Sequence, residues 1–209
     1  MNTLRSFGAL CAATLALSPA LAVEHCYDFS RMPVGTVYRV GDIYEDDNLS
    51  VHMRDFYVGG VAVTPNNVDA PKVTVSNTAL AQDASPEILT YLMNAQVIPR
   101  QPLRKVTMKV AQNVGHDGQA RANLGVNGEL REFVGSIAQA DGKEMGDANR
   151  GRVQLEIDLV PDVSTPENPS FWHRGTLTMT GVDGALIDRF AFGGMSMAAD
   201  RVCFEYSPN

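Results

Sequence analysis

The feature that most constrains the fold of this chain is an alternation of apolar and polar residues with a period of two. In residues 105–110, Val106, Met108 and Val110 alternate with polar residues, as in a half-buried strand. The same pattern occupies residues 152–159 and 175–181, and further strands are predicted at 23–29, 37–44, 49–57, 72–75, 185–192 and 202–206. Short strands at this spacing predict an all-β fold, an antiparallel β-sandwich of jelly-roll type.

Turn signals separate these strands. Asn127-Gly128, within residues 124–130, predicts a hairpin because both turn residues must adopt positive φ. A second hairpin is predicted at residues 182–184. Ser85-Pro86 instead resembles a helix start, and a short helix is predicted because the apolar residues that follow fall at helical spacing: Ile88, Leu89, Leu92 and Met93. Prolines at 99, 102, 161, 166 and 169 predict connecting loops.

The N-terminus has the pattern of a signal peptide. Arg5 precedes an apolar run over residues 7–17, and small residues at Ala20 and Ala22 fit a cleavage site. The sequence therefore predicts a signal peptide at 1–22 and a single domain at 23–209, secreted or periplasmic. The mature chain contains no run of the ~20 apolar residues that a transmembrane helix requires, so no transmembrane segment is predicted there.

The number and positions of the cysteines agree with a protein that is exported from the cytoplasm. Cys11 leaves with the signal peptide, and Cys26 and Cys203 remain near opposite ends of the mature chain. Thiols oxidise outside the cytoplasm, so we predict a disulfide that links the first strand to the last. The alternative is a pair of buried free thiols.

Net charge and aromatic content limit the classes of partner that this chain is predicted to bind. The formal net charge is −7, and removal of Arg5 makes it one unit more negative. Nucleic acid requires a basic face, and the basic residues here are scattered, so nucleic acid is not a predicted partner. Sugar-binding surfaces often use aromatic platforms. Because Trp172 is the one tryptophan, the sequence does not favour a strong lectin.

Several motifs occur in the order found in a known group of proteins. Cys26-Tyr27-Asp28-Phe29 is followed by Gly-Thr-Val-Tyr-Arg-Val-Gly-Asp at 35–42, the hairpin at 124–128, Phe-Ala-Phe-Gly-Gly at 190–194 and Asp-Arg-Val-Cys at 200–203. The chain resembles secreted bacterial β-sandwich proteins that open Cys-x-Asp-Phe-Glu and close Asp-x-Val-Cys, although Ser30 replaces the glutamate. The resemblance implies an exported sandwich. It implies no particular activity, because the group is largely uncharacterised.

Two sets of residues are candidates for calcium. The acidic run at 41–48 lacks the spacing of an EF-hand loop, which favours a solvated connection between strands. Asp28 and Asp200 would be brought together by a bond between Cys26 and Cys203. Because two adjacent carboxylates repel each other without a cation, Asp28 and Asp200 are the predicted calcium ligands.

Histidines are candidates for copper. His116 lies in a Gly-His-Asp-Gly turn, and His173 follows Trp172 in a loop rich in proline. Transition metals favour imidazole, so His116 and His173 could form a metal site at one end of a sandwich. The Trp172-His173 pair is loosely similar to copper-binding surface proteins of methane-oxidising bacteria, and Trp172 is also a candidate ligand-binding residue. The alternative for each histidine is a surface or hydrogen-bonded role without metal.

Catalytic motifs are missing from the sequence. There is no Gly-x-Ser-x-Gly, His-Glu-x-x-His or phosphate-binding glycine loop. Glycoside chemistry could use a pair among the scattered acids Glu87, Glu156, Asp158 and Glu205. We therefore expect an exported, non-catalytic binding or adhesion module for an envelope component, a carbohydrate or a protein. The alternatives are a metal-binding surface protein, recognised by elemental analysis, and a secreted hydrolase, recognised by two buried carboxyls in one cleft.

Overall fold

The computed structural model describes residues 24–63, 71–78, 86–115, 118–147, 149–162 and 171–207. The predicted signal peptide and His116 lie outside these residues. Strands make up most of the regular structure of the described chain, with two short 3-10 turns at Ile137–Ala140 and Val182–Gly184. None of its helices has the length and apolarity needed to cross a membrane.

The strands, in chain order, are β1 (Glu24–Tyr27), β2 (Val37–Tyr38), β3 (Ile43–Glu45), β4 (Leu49–Asp55), β5 (Tyr57–Val58), β6 (Val61–Ala62), β7 (Lys72–Ser76), β8 (Glu87–Tyr91), β9 (Met93–Pro99), β10 (Leu103–Asn113), β11 (Arg121–Val126), β12 (Glu129–Val134), β13 (Glu144–Met145), β14 (Val153–Pro161), β15 (Trp172–Gly181), β16 (Phe190–Gly194) and β17 (Met197–Tyr206).

These strands form two antiparallel sheets and a separate hairpin. The larger sheet has nine strands in the order β13-β14-β15-β10-β17-β8-β7-β2, with β1 also paired to β17. The smaller sheet has six strands in the order β12-β11-β16-β9-β4-β3, and β5 pairs with β6. The predicted all-β sandwich is therefore confirmed.

Alternate residues of both sheets form one hydrophobic core. Val106, Met108 and Val110 of β10 face inward, as the alternation predicts, and Phe190 and Phe192 of β16 enter the same core from the smaller sheet. All five side chains are fully buried. Full burial of a side chain of this size contributes about 1.5–3 kcal/mol, so this layer is the main source of stability.

The predicted helix after Ser85 is wrong. Residues 87–99 instead form β8 in the larger sheet and β9 in the smaller one, joined through Leu92 at φ 51°. Ile88 enters the main core, whereas Leu89 packs on the opposite face of the larger sheet. Because β8 is covered on both faces, its apolar residues do not need to share one side. Burial on two faces therefore produced a spacing that resembles a helix.

The predicted hairpin at 182–184 is also wrong, although the chain does turn there. Asp183 and Gly184 both have positive φ, but β15 and β16 on either side of the turn belong to different sheets. The predicted strand at 37–44 is likewise divided into β2 and β3 by a turn in which the Asp42 N–H donates to the Arg39 carbonyl. Turn residues thus mark a reversal without deciding which sheet the chain enters next.

Two other predictions are confirmed. Asn127 and Gly128, at φ 51° and 95°, form the turn between β11 and β12. Cys26 and Cys203 lie directly opposite each other on β1 and β17 and form a disulfide across 177 residues of sequence. The disulfide therefore joins the first strand to the last.

We expect a Cys26→Ser, Cys203→Ser double variant to unfold with a free energy lower by about 2–5 kcal/mol, because the bond closes a very long loop. Chemical denaturation of the oxidised protein and the variant measures the difference. Thiol titration of the unfolded, unreduced wild type should find neither cysteine free; two free thiols would contradict the bond.

A second link joins the two layers near β1. The Tyr27 hydroxyl donates to the Asp46 carboxylate and lies 3.2 Å from the Tyr44 hydroxyl. Asp46 lies in the turn between β3 and β4, where it also accepts the N–H groups of Asn48 and Leu49 at 2.8 and 3.1 Å. Burial alone would raise the pKa of Asp46, but these hydrogen bonds outweigh it and lower the pKa below its ordinary value. Asp46 is thus a structural residue of the acidic run.

We expect Asp46→Asn to lower the free energy of unfolding by about 1–2 kcal/mol near neutral pH. A carboxyl whose pKa is lowered by folding stabilises above its unfolded value of about 4, and this contribution is lost as the pH falls through the folded value. The difference between wild type and variant should therefore shrink below about pH 4. Denaturation curves across pH measure it, with exposed Asp47→Asn as the matched control. A difference that does not change with pH would contradict this role for Asp46.

Candidate ligand-binding cleft

The outer face of the six-stranded sheet carries two rows of side chains that the core does not use. The strand register aligns one residue from each of β11, β16, β9 and β4 in each row. The first row is Asn123, Gly193, Asn94 and Arg54, and the second is Gly125, Ala191, Gln96 and His52. Polar side chains therefore surround a centre that contains glycine and alanine.

The small residues give this face its depth. A Cβ atom at Gly193 would come within 2.1 Å of the Met93 carbonyl oxygen and 2.3 Å of Asn94 Oδ1, so no larger residue fits without a backbone shift. On the same face is a concave cleft of about 610 Å³, and the small residues that line it include Gly125 and Ala191. That volume is in the range of sites that enclose small ligands.

One wall of the cleft is the β5–β6 hairpin. The Asn123 side chain accepts a hydrogen bond from the Tyr57 N–H at 2.8 Å and donates one to the Tyr57 carbonyl at 3.0 Å. Glu132 accepts the Gly59 N–H at 2.6 Å. The amide of Asn123 thus pairs with Tyr57 as a neighbouring strand would. Tyr57 and Gly60 of the hairpin line the cleft.

Charged residues of β12, which also line the cleft, are held by ion pairs. Glu132 binds Arg121, and Glu129 binds Arg131 and also accepts the Gly146 N–H at 2.7 Å. Each of these two carboxylates is therefore bound to an arginine and a backbone amide. These contacts stabilise the wall of the cleft. A general acid, in contrast, must be a protonated carboxyl group that can donate its proton to a substrate.

Several polar groups in the cleft retain hydrogen-bonding capacity. Asn94 Oδ1 is buried without a hydrogen-bond partner among the described residues, while its Nδ2 donates to the Asp55 carbonyl at 2.7 Å. Gln96 uses its Oε1 to accept from Arg54 at 3.2 Å. Within the described chain, Gln96 Nε2 and the Tyr57 hydroxyl make no hydrogen bond to protein. Gln96 Nε2 can therefore donate to a ligand, and the Tyr57 hydroxyl can donate or accept, whereas Asn94 Oδ1 is buried against Gly193.

Arg54 is oriented by two neutral groups. Its Nε donates to Gln96 Oε1, and its Nη2 lies 3.3 Å from His52 Nδ1. Because a guanidinium can only donate, His52 Nδ1 accepts, so His52 Nε2 carries the proton and donates to Ser50 Oγ at 3.2 Å. Burial and then the charge of Arg54 lower the pKa of His52, which keeps the ring neutral at neutral pH. Ser50, His52 and Arg54 therefore share the outward face of β4.

The predicted calcium ligands lie at another place, on the larger sheet. β17 pairs with β8 through Ala199 and with β1 from Val202 onward. Asp200, fully buried, and Asp28, exposed, flank the gap between those two partners. Calcium binding there stays a prediction.

Two of the residues considered for copper, Trp172 and His173, also lie away from the cleft. Trp172 and His173 are on β15 of the larger sheet, where Trp172 packs on Ala111 and Ala198. His116 lies outside the described residues, so its meeting with His173 stays a prediction. Among the described residues, the one close group of potential metal ligands combines Glu24 with Cys26 and Cys203, and the sulfurs there form the disulfide. A bonded sulfur is not the thiolate that metals bind.

The acids considered for glycoside chemistry are dispersed. Glu156 and Asp158 are exposed on β14, and Glu205 is half-buried on β17. Glu87 is buried, and its carboxylate accepts a hydrogen bond from Ser76 at 3.1 Å. None of these four residues lines the cleft.

The central strand of the cleft, β9, was not predicted from the sequence. Asn94 and Gln96 were hidden because the apolar residues before them were assigned to a helix. A usable signal was present: Met93, Ala95 and Val97 alternate with polar residues and face the core. Extending the period-two search through residue 99 would have found the strand.

Comparisons with known proteins leave the family open. No family model matches this chain, and no curated protein matches it. The resemblance to secreted bacterial β-sandwich proteins thus stays a prediction from the motifs. Function has to be inferred from the cleft itself.

We expect Asn123→Ala to release the β5–β6 hairpin, because the variant loses both hydrogen bonds to the Tyr57 backbone. Loss of these buried bonds should lower the free energy of unfolding by about 1–3 kcal/mol. Hydrogen exchange at the Tyr57 and Gly59 amides should become faster than in the wild type. Gln154→Ala, on the larger sheet, is the matched amide control. An unchanged rate of hydrogen exchange at the Tyr57 amide in Asn123→Ala would show that the Asn123 side chain does not hold the hairpin.

Proposed function

We propose that this protein is an exported, non-catalytic binding module that holds a carbohydrate in the cleft on the outer face of its six-stranded sheet. The observation that carries the proposal is a concave floor of glycine and alanine surrounded by side-chain amides. One of them, Asn94, has a buried acceptor with no hydrogen-bond partner among the described residues.

The chemistry of the lining suits a polyhydroxylated ligand. Hydroxyl groups donate and accept, and side-chain amides do the same. Gln96 Nε2 and the Tyr57 hydroxyl supply such groups, while Leu130, 39% exposed, supplies apolar surface for the C–H faces of a sugar. Two aromatic residues line this cleft, Tyr57 and Phe190, and the Phe190 side chain is buried in the core. Because only Tyr57 offers an accessible ring among these lining residues, we expect a modest affinity.

The shape of the cleft favours a carbohydrate over a folded protein partner. Stable protein interfaces bury about 800 Å² on each side, and their centres are rich in aromatic and apolar side chains. The floor here is recessed beneath the β5–β6 hairpin and is made of small residues. A narrow chain of sugars reaches such a floor, whereas a flat protein surface does not.

The expected location rests on two features. The N-terminal pattern at 1–22 predicts a signal peptide. The bond between Cys26 and Cys203 is of the kind that persists in an oxidising compartment. Together they support a secreted or periplasmic protein, where envelope polysaccharides are available ligands.

Binding to a panel of oligosaccharides tests the proposal. We expect Tyr57→Phe and Gln96→Ala each to weaken the affinity for the best ligand by about 2- to 10-fold, because each removes one hydrogen bond. Isothermal titration calorimetry measures the affinity, and NMR shift changes should map to β9, β11 and β16.

The control variant also tests the rival site. His173→Ala, on the larger sheet, should bind the oligosaccharide as the wild type does. Loss of binding in His173→Ala, together with normal binding by Tyr57→Phe and Gln96→Ala, would move the site to Trp172 and His173. Copper found by elemental analysis of the purified protein would then favour the metal-binding alternative.

A further inference from the structure

Arg54 differs from the other arginines around the cleft. Arg121, Arg131 and Arg189 form ion pairs with Glu132, Glu129 and Asp188, respectively. Arg54 forms no ion pair with a carboxylate of the described residues. It is an exposed residue that lines the cleft, so its charge faces the space that a ligand would occupy.

The environment of Arg54 orients its guanidinium without neutralising it. Gln96 Oε1 and His52 Nδ1 accept two of its N–H groups, and both acceptors are uncharged. The remaining N–H groups stay available for a ligand. A guanidinium held in this way loses less rotational freedom when it binds, and its planar fork matches the two oxygens of a carboxylate.

We propose that Arg54 is the specificity-determining residue of the cleft and that the ligand is an acidic polysaccharide whose uronic-acid carboxylate binds Arg54. This proposal rests on the proposed carbohydrate function. The carboxylate forms the paired hydrogen bonds with Arg54, and neighbouring hydroxyls bind Gln96 and Tyr57.

The other charges of the cleft select the kind of anion. Asp55, Glu129 and Glu132 also line it, and the whole chain has a net charge of −7. These carboxylates repel a doubly charged phosphate more strongly than a singly charged carboxylate. A carboxylate placed at Arg54 meets the one lining arginine without an acidic partner among the described residues.

The dimensions fit an oligosaccharide. Arg54, Asn94, Gly193, Asn123 and Glu132 occupy five neighbouring strands in one row. At ~4.8 Å between strands, the row spans roughly 20 Å. One carboxylate can therefore bind at the Arg54 end while further sugars extend over the glycine floor.

The experiment compares oligouronates with the same oligouronates after methyl esterification, which removes the charge and keeps the sugar. Probes are oligogalacturonate, oligomannuronate and oligoguluronate, measured by calorimetry. Wild type should prefer the free acid by about 10- to 100-fold. Arg54→Gln should abolish this preference, and Arg54→Lys should retain part of it. Arg104→Gln, on exposed β10 surface, is the matched control and should behave as the wild type.

The outcomes separate this proposal from the proposed function. Equal binding of acid and ester, or a preference that survives in Arg54→Gln, would overturn the role of Arg54 and leave carbohydrate binding intact. If the protein binds neutral oligosaccharides and no acidic ones, the role of Arg54 is likewise overturned, and carbohydrate binding is retained. If no glycan binds, both proposals fail. An unchanged denaturation midpoint for Arg54→Gln shows that the variant is folded.

Discussion

Hydrophobic packing between the two sheets is the interaction on which the rest of this structure depends. Phe190 and Phe192 of β16 enter the core against residues such as Met108 of β10, and every strand of the smaller sheet must then turn its alternate residues outward. The cleft is a direct result. Asn94 and Gln96 face outward because Met93, Ala95 and Val97 are needed inside, and a one-residue slip in register would bury the polar set.

The cleft also depends on polar side chains that act on the backbone. Asn123 is buried, yet both ends of its amide bind Tyr57, so the β5–β6 hairpin is held over the sheet without a continuous strand. Asn94 Nδ2 donates to the Asp55 carbonyl, and Asn94 Oδ1 packs against Gly193. A buried hydrogen-bond acceptor without a partner costs free energy. Because most buried polar atoms are paired, an unpaired one in a folded protein calls for an explanation, and a functional site is one such explanation. This is why the cleft is a stronger candidate than the gap beside Asp200.

Prediction from sequence succeeded where one residue pattern had one structural solution. Val106, Met108 and Val110 face the core, Asn127-Gly128 forms its hairpin, and Cys26 bonds to Cys203. It failed at Ile88 to Met93, because a strand covered on both faces loses its alternation, and at Asp183-Gly184, because a turn does not specify the next sheet. None of the cleft residues was a predicted site. Trp172, the predicted ligand-binding residue, packs on Ala111 and Ala198 of the larger sheet, and its role in binding stays a prediction.

The amino-acid sequence by itself determined that this chain would be an antiparallel sandwich with its terminal strands joined, because alternation, turn chemistry and two cysteines are local or unambiguous signals. Only the tertiary structure decided which outward-facing side chains lie next to one another. Arg54, Gln96 and Asn123 come from three segments of the chain, and only the pairing of β4, β9, β16 and β11 brings them to one cleft. Long-range register sets that pairing, and register follows from packing of the whole core, which no single segment of sequence contains.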